Sequence, residues 1–469
     1  MKLEAIWQME GTLVTRTAMH IGDGGTRPHG REEGVEVQTA AKTPDGRARV
    51  PGSSLKGVVR GGFGKEEALG IFGEKEHGGT AQFLEAYSVR PVAWDAHVLG
   101  RTAIDAVSGA AQEHLLFQRE TVPAGTEFSV RIRGKAFGED RWQDAVKALE
   151  QGMGRFNDGT IRLGAGEANQ RGLCVWELKA VRVMDEAARR RFLEKPEPLD
   201  GYLGGLENRV KELDFPAGAT ATARGETVEL TLRFDGHPFL VNDPGKTGKQ
   251  EEGKHAHAAR RTTGGKLLLP AESFRGVLAH QAARISRTRW PQGTSGEREK
   301  VKRNPAGGLP REVNLVTRLF GGPGWASVLE IREFVETARK NKPCPGESKV
   351  QQFLAVDRFT GGGADERKFD AEGGWEPWLR GAITVNLERL RKVGTVEPAL
   401  GLLALTLRDL AEGDLAFGWG SGKGYGWATV DTGDLSAAAW VEKAMAGWGV
   451  AGTVKDWIRT WEAEGGKRG

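Results

Sequence analysis

Apolar and polar positions alternate through residues 226–234, with Val228, Leu230 and Leu232 on one side and Glu229, Thr231 and Arg233 on the other. A period of two predicts a strand buried on one face. The same mixture predicts strands over residues 4–17, 128–133 and 381–387. At Pro51 and Pro270 the period changes. Leu55, Val58 and Val59 fall at i, i+3 and i+4 behind a proline, which predicts a helix opening there, with Ser53 or Ser54 capping its free N–H groups. From Ser436 onward the pattern predicts one or two terminal helices. The longest apolar stretch, Leu400 to Leu407, is far shorter than the ~20 residues a membrane-spanning helix needs. The first residues lack the apolar core of a secretion signal.

The pattern repeats. Pro51-Gly-Ser-Ser-Leu-Lys-Gly57 is matched 219 residues later by Pro270-Ala-Glu-Ser-Phe-Arg-Gly276. Ile21-Gly-Asp23 precedes the first copy and Val241-Asn-Asp243 the second. Leu69-Gly-Ile-Phe-Gly73 follows the first and Thr317-Arg-Leu-Phe-Gly321 the second. Ala103-Ile-Asp105 pairs with Ala355-Val-Asp357. Each half then closes on a glycine loop, Gly164–Gly172 and Gly418–Gly426. Ordered landmarks at near-constant spacing predict a tandem duplication. The boundaries expected are a first module at 1–195, a Pro/Gly-rich connector at 196–219, a second module at 220–434 and a helical tail at 435–469. The second copy carries extra length between Ile285 and Asn314, which its arginines and lysines mark as a basic loop. Strand, helix, strands, helix and final strand in each half predict an α+β fold of two ferredoxin-like modules.

Composition changes this picture in one respect. Glycine supplies 68 of 469 residues, about twice the usual ~7%, which calls for many tight turns or for backbone that lies close to a ligand. The net charge is only +4, and Cys174 and Cys344 stand far apart. Neither a disulfide framework nor a thiolate zinc site is available, and a reducing cytoplasm is the compartment expected.

Candidate chemistry lies in three places. The Gly418–Gly426 loop fits neither a P-loop nor a dinucleotide fingerprint, because Phe417 stands where the first P-loop glycine belongs and Gly424 follows Lys423. Free N–H groups with little side-chain bulk and one lysine suit a polyanion backbone instead. Gly420, Gly422, Lys423 and Gly424, with Gly164 and Gly166 in the first copy, are therefore candidate RNA contacts. The helix starts are the second place, where Ser53, Ser54, Lys56 and Arg60, and Ser273 and Arg275, add donors and cations to a helix N-terminus. Acidic residues upstream form the third: Asp23, Glu32, Glu33 and Glu36 in one half, Asp243, Glu251 and Glu252 in the other, open to a role as Mg²⁺ ligands or bases or as ordinary loop charges. His255 and His257 sit at i, i+2, a weak metal pair.

The Pro51–Gly57 motif, the stretch from Ile104 to Thr126 and the closing glycine loop together resemble the RAMP superfamily. The likeness is nearest to the guide-RNA-binding backbone subunits of type III CRISPR effector complexes, and it spans 1–185 and 220–432. Two such modules in one chain resemble the fused subunits of the III-D subtype. The resemblance implies an RRM-like core, a palm holding guide RNA at Ser53, Ser54, Lys56, Arg60, Ser273 and Arg275, and hairpin thumbs in 102–123 and 355–370. It also implies complementary target RNA and other effector subunits as partners, in antiviral defence and away from membranes. Cleaving relatives carry an aspartate about fifteen residues before the motif's proline, where this chain has Glu36 and His255. Asp23, Glu36, Asp243 and His255 are the catalytic candidates, Asp23 and Glu36 the Mg²⁺ candidates, for an endoribonuclease acting on target RNA. A metal-independent ribonuclease that matures the guide is the alternative.

Overall fold

The computed structural model describes residues 2–28, 36–73, 78–104, 111–138, 141–213, 225–243, 257–262, 264–290, 313–322, 324–339 and 344–465. The chain folds as two units, Met1–Glu167 with Arg171–Thr222, and Ala223–Gly469 with Ala168–Gln170.

In the first module the strand Leu3–Thr15 runs between Cys174–Met184 and Glu127–Phe137, antiparallel to both. Ala86–Pro91 continues the sheet beyond Glu127–Phe137, and Arg47–Val50 closes it. Numbering the long strands by chain position gives the spatial order 4-1-3-2 of a ferredoxin-like sheet. Every second residue of Leu3–Thr15 faces a core: Trp7, Met9 and Leu13 are fully buried with Leu55 and Val59 of the helix Gly52–Arg60 and Val146, Leu149 and Met153 of the helix Trp142–Gly154. Burial of this many large side chains, each worth about 1.5–3 kcal/mol, is what seats both helices on the sheet.

The second module repeats the plan. Trp427–Val430, Glu226–Arg233, Trp378–Val385 and Leu329–Glu336 lie in the order 4-1-3-2, with the helices Ala271–Arg289 and Glu397–Glu412 on one face. Phe274 and Leu278 are buried in the same register as Leu55 and Val59. The duplicated α+β architecture read from the sequence is the architecture of the protein.

Each module also carries a smaller sheet built around a hairpin. In the first, Gly22–Pro28, Glu36–Ala40, Ala111–Glu120 and Val98–Ile104 lie side by side, the last two paired from Val98↔Glu120 to Ile104↔Ala111. Asp105 falls outside the described residues. In the second, Ser348–Val356 pairs with Gly363–Trp375, and Pro238–Phe239 and His257–Ala258 flank the latter. At the hairpin's tip, Asp357 accepts N–H bonds from Phe359 (3.0 Å) and Thr360 (2.8 Å). These bonds, led by that from Thr360, hold its carboxyl below the usual range. The repeated aspartate is a turn former there.

Three local expectations change. Pro51 and Pro270 are the N-cap residues, and no side chain caps either helix, because Ser53 and Ser54 already lie inside the first turn. The strand expected to Leu387 ends at Val385; Asn386 accepts the Arg389 N–H at 2.8 Å and starts the helix Leu387–Arg391. The segment read as a loop from Ile285 is still helix to Arg289, while residues 291–312 are not among those described.

The two modules differ in what covers them. In the first module, the helix Glu186–Glu194 and the connector helix Leu199–Gly205 pack Ala188 and Leu203 on Met184 and Ile6, on the sheet face turned away from Trp7 and Met9. Asp200 fixes this cover by pairing with Arg131, at 2.8 Å, and with Arg133. In the second module that sheet face carries Arg332, Glu229 and Arg380, all well exposed and linked as ion pairs of 3.1 and 2.6 Å. Its helical face is covered instead: Trp440, Val441, Trp457 and Trp461 of the terminal helices Ala437–Ala444 and Val454–Gly465 join the core around Glu397–Glu412. Among the described residues no helix is long and apolar enough to cross a membrane.

Candidate nucleic-acid interface

Both helix starts keep the side chains singled out in the sequence out of the buried core. In Gly52–Arg60, Leu55 and Val59 face the core, so Ser53 and Arg60 are exposed and Ser54 and Lys56 half-buried. In Ala271–Arg289, Ser273 and Arg275 are half-buried, and the position matching Arg60 is the buried Ala279. The cationic residue common to both modules is therefore the one at Lys56 and Arg275.

The glycine loops are bolted to the strand exits by the same backbone bonds. Leu163 N–H donates to Gly172 O at 3.0 Å and Phe417 N–H to Gly426 O at 2.8 Å. Ala165 N–H reaches His20 O at 2.9 Å, and Trp419 N–H reaches Leu240 O at 2.8 Å. A Cβ at Gly164 or Gly418 would stand 2.2 or 2.1 Å from the same His20 or Leu240 oxygen, and both positions have φ near +85°. Internal geometry thus requires these glycines, as a tight turn does. Gly166, Gly420 and Gly424 also have positive φ. Gly422 is different: its φ is not positive, and a Cβ there would meet nothing within 4 Å. Lys423 is exposed, its ammonium 5.3 Å from the Trp419 ring centroid. The first loop has Asn169, buried, at the place of Lys423.

In the second module the helix start and the loop touch: Phe274 stacks on Phe417, the residue before Gly418. In the first, Leu55 and Leu163 occupy the corresponding places in one core.

The acidic candidates do not converge. Asp23 Oδ1 accepts the Thr39 hydroxyl at 2.5 Å and the Gly25 N–H at 2.8 Å. Burial works against its ionisation, but these bonds, with Lys42, leave its carboxyl below the usual range. Glu36 is exposed and pairs with Pro28 at the far end of the same ribbon. Three residues separate it from Thr39, roughly 10 Å of extended strand. Asp23 and Glu36 therefore do not share one cation. Among the described candidates, a Mg²⁺ ion held here would rest on Glu36, which suits an ion that commonly takes one or two carboxylates and completes its shell with water and phosphate oxygens. Asp243 is half-buried, its N–H bonded to Ala258 O at 2.9 Å. The bonds Ala41 N–H to Ile21 O and Arg260 N–H to Val241 O, both 2.7 Å, show that Ala258 replaces Thr39. His255, Glu32, Glu33, Glu251 and Glu252 lie outside the described residues. His257 packs its ring 4.5 Å from Trp419 and 5.8 Å from Phe369, a packing role; burial, then Lys423, push its imidazole pKa down.

Glu120 carries no signature in the sequence, because no spacing rule links it to its partners. It is fully buried at the base of the first hairpin, yet takes Arg27 Nε at 2.7 Å, Lys42 Nζ at 2.9 Å and the Ala40 N–H at 3.0 Å. Burial opposes its charge, and the Ala40, Lys42 and Arg27 bonds overcome that, holding its pKa below the ordinary value. Its carbonyl accepts Nδ1–H of His20, whose imidazole is lowered chiefly by burial. This network ties the ribbon carrying Asp23 and Glu36 to the hairpin.

No curated protein matches the chain. The family profile described as the RAMP superfamily matches residues 12–175 and 225–429, one match in each module and most of the chain between them. Each match encloses a proline-opened helix and a bolted glycine loop and reaches into the first and last strands of a 4-1-3-2 sheet. The chain belongs to the RAMP superfamily, and so to the CRISPR-associated RNA-binding subunits that this superfamily comprises.

Proposed function

We propose that this protein is a guide-RNA-binding backbone subunit of a type III CRISPR effector ribonucleoprotein, two backbone modules in one chain, of the kind fused in the III-D subtype. The observation that carries the reading is the repetition, in equal register, of a cation one turn into a proline-opened helix beside a glycine loop. A guide of repeating phosphates is met by a repeating grip. Lys56 with Ser53, Ser54 and Arg60 makes the first, and Arg275 with Ser273 and the Gly420–Gly424 segment makes the second. Contacts of this kind neutralise phosphates and leave base edges unread, so affinity is independent of sequence and falls as salt rises. In this reading the hairpins Val98–Glu120 and Ser348–Trp375 serve as the thumbs against a guide–target duplex.

The test is binding of a single-stranded guide at several salt concentrations. Lys56→Ala and Arg275→Ala should each lower affinity and flatten the salt dependence, the double variant more than either. Absence of binding at low salt, or an unchanged double variant, overturns the reading.

A further inference from the structure

We infer that the second module carries a base-stacking site that the first lacks, built on Trp427 and Trp375 with Lys423 and Lys349 beside them for the flanking phosphates. The inference rests on the proposed binding of single-stranded RNA and adds a second kind of contact to it.

Trp427 ends the glycine loop. Ala428 and Val430 turn into the core, so Trp427 turns outward and keeps 37% of its surface exposed. It is nevertheless fixed, because Nε1 donates to Ser421 O at 3.1 Å. Trp375 is 39% exposed and ends the long strand of the hairpin. Pro238 joins the two: it pairs with Trp375 in the small sheet, and its carbonyl accepts the Gly426 N–H at 2.8 Å. Two indoles, each more than a third exposed, thus stand on backbone joined through Pro238, one of them pinned.

Charge selects the occupant. Lys349 Nζ lies 4.6 Å from the Trp375 ring centroid, and Lys423 Nζ lies 5.3 Å from that of Trp419, four residues before Lys423 in the same loop. Neither lysine has a carboxylate partner among the described residues. Aromatic faces interleaved with unpaired cations are the arrangement that holds single-stranded nucleic acid, bases on the rings and phosphates on the ammonium groups. Gly422, which needs no glycine for its own fold, leaves the backbone beside them open to a ribose–phosphate chain.

The first module shows what the site is made of by lacking it. Equivalent backbone bonds and bridges place Leu173 where Trp427 stands, Pro123 where Trp375 stands, Ala165 at Trp419 and Asn169 at Lys423. The folds match while all four side chains differ, so folding alone does not ask for the tryptophans.

The experiment compares two ten-nucleotide RNAs of equal charge, one oligouridine and one with abasic sugars throughout, binding to the full chain by fluorescence anisotropy. The intact RNA should bind about tenfold more tightly, the effect expected of one or two stacked bases. Trp427→Ala with Trp375→Ala should erase that difference and leave affinity for the abasic RNA unchanged; Trp427→Phe, which keeps a flat ring and the fold, should retain part of it. Lys56→Ala should weaken both RNAs alike. A difference that survives the double tryptophan variant, or none in the wild type, overturns the stacking site and leaves phosphate binding standing; the exposed indoles then serve a protein contact. Failure of the wild type to bind either RNA overturns both readings.

Discussion

Phe274, in the first turn of its helix, stacks on Phe417, at the mouth of the glycine loop, with ring centroids 5.2 Å apart and planes 11° from parallel. The two parts of the second module's grip are therefore one packed unit. Phe274→Ala should destabilise that module by about 3–5 kcal/mol, the usual cost of removing a buried phenyl ring. Denaturant unfolding measures it, and Phe274→Leu should recover much of the loss.

The glycines of that loop separate by substitution. Gly426→Ala sets a Cβ 2.0 Å from Phe417 O at a φ of +77°, and should lower the melting temperature sharply. Gly422→Val meets no atom within 4 Å and should melt as the wild type does, while binding RNA more weakly. A Gly422→Val protein that unfolds would return this residue to a purely structural part.

Glu120 makes stability depend on acid. Its carboxyl is held below the unfolded value of ~4.3, so its contribution is complete from about one pH unit above that value upward and is lost as the pH falls through the depressed folded value. Glu120→Gln leaves Arg27 and Lys42 facing a neutral group and should cost about 2–3 kcal/mol at neutral pH. Its stability should also fall less steeply than the wild type's as the pH drops below about 5. Unfolding curves at a series of pH values check both.

Cleavage of a matched target, where it occurs, should be weak, Mg²⁺-dependent and confined to the first module. In the assembled complex, Glu36→Ala should remove one product band. Asp23→Ala should leave that band, because the carboxylate of Asp23 is engaged with Thr39 and Gly25. Loss of the band in Asp23→Ala alone would reverse this assignment.

Residues whose role is set by local pattern were legible in the sequence. The alternation of Val228, Leu230 and Leu232, the i, i+3, i+4 spacing behind Pro51, and the glycines of the closing loops each encode their own geometry, and the duplication let one half check the other. What could not be read depends on residues brought together from afar. Glu120 meets Arg27 across 93 positions, and Trp375 reaches the Trp427 loop only through Pro238. The sequence does not tell the serines behind Pro51 from caps, because a cap and a first-turn residue differ by one or two positions, a shift that composition does not record.

The coverings of the two modules fall on opposite layers. Leu203 and Ala188 hide the sheet of the first, and Trp457 and Trp461 hide the helices of the second. Among the described residues, a neighbour that seeks a bare sheet finds it in the second module, and one that seeks bare helices finds them in the first. The chain is thereby polar although its halves share one fold. A contact copied from either module onto the other would be smothered by the protein's own chain, so repetition within the molecule does not make its halves exchangeable.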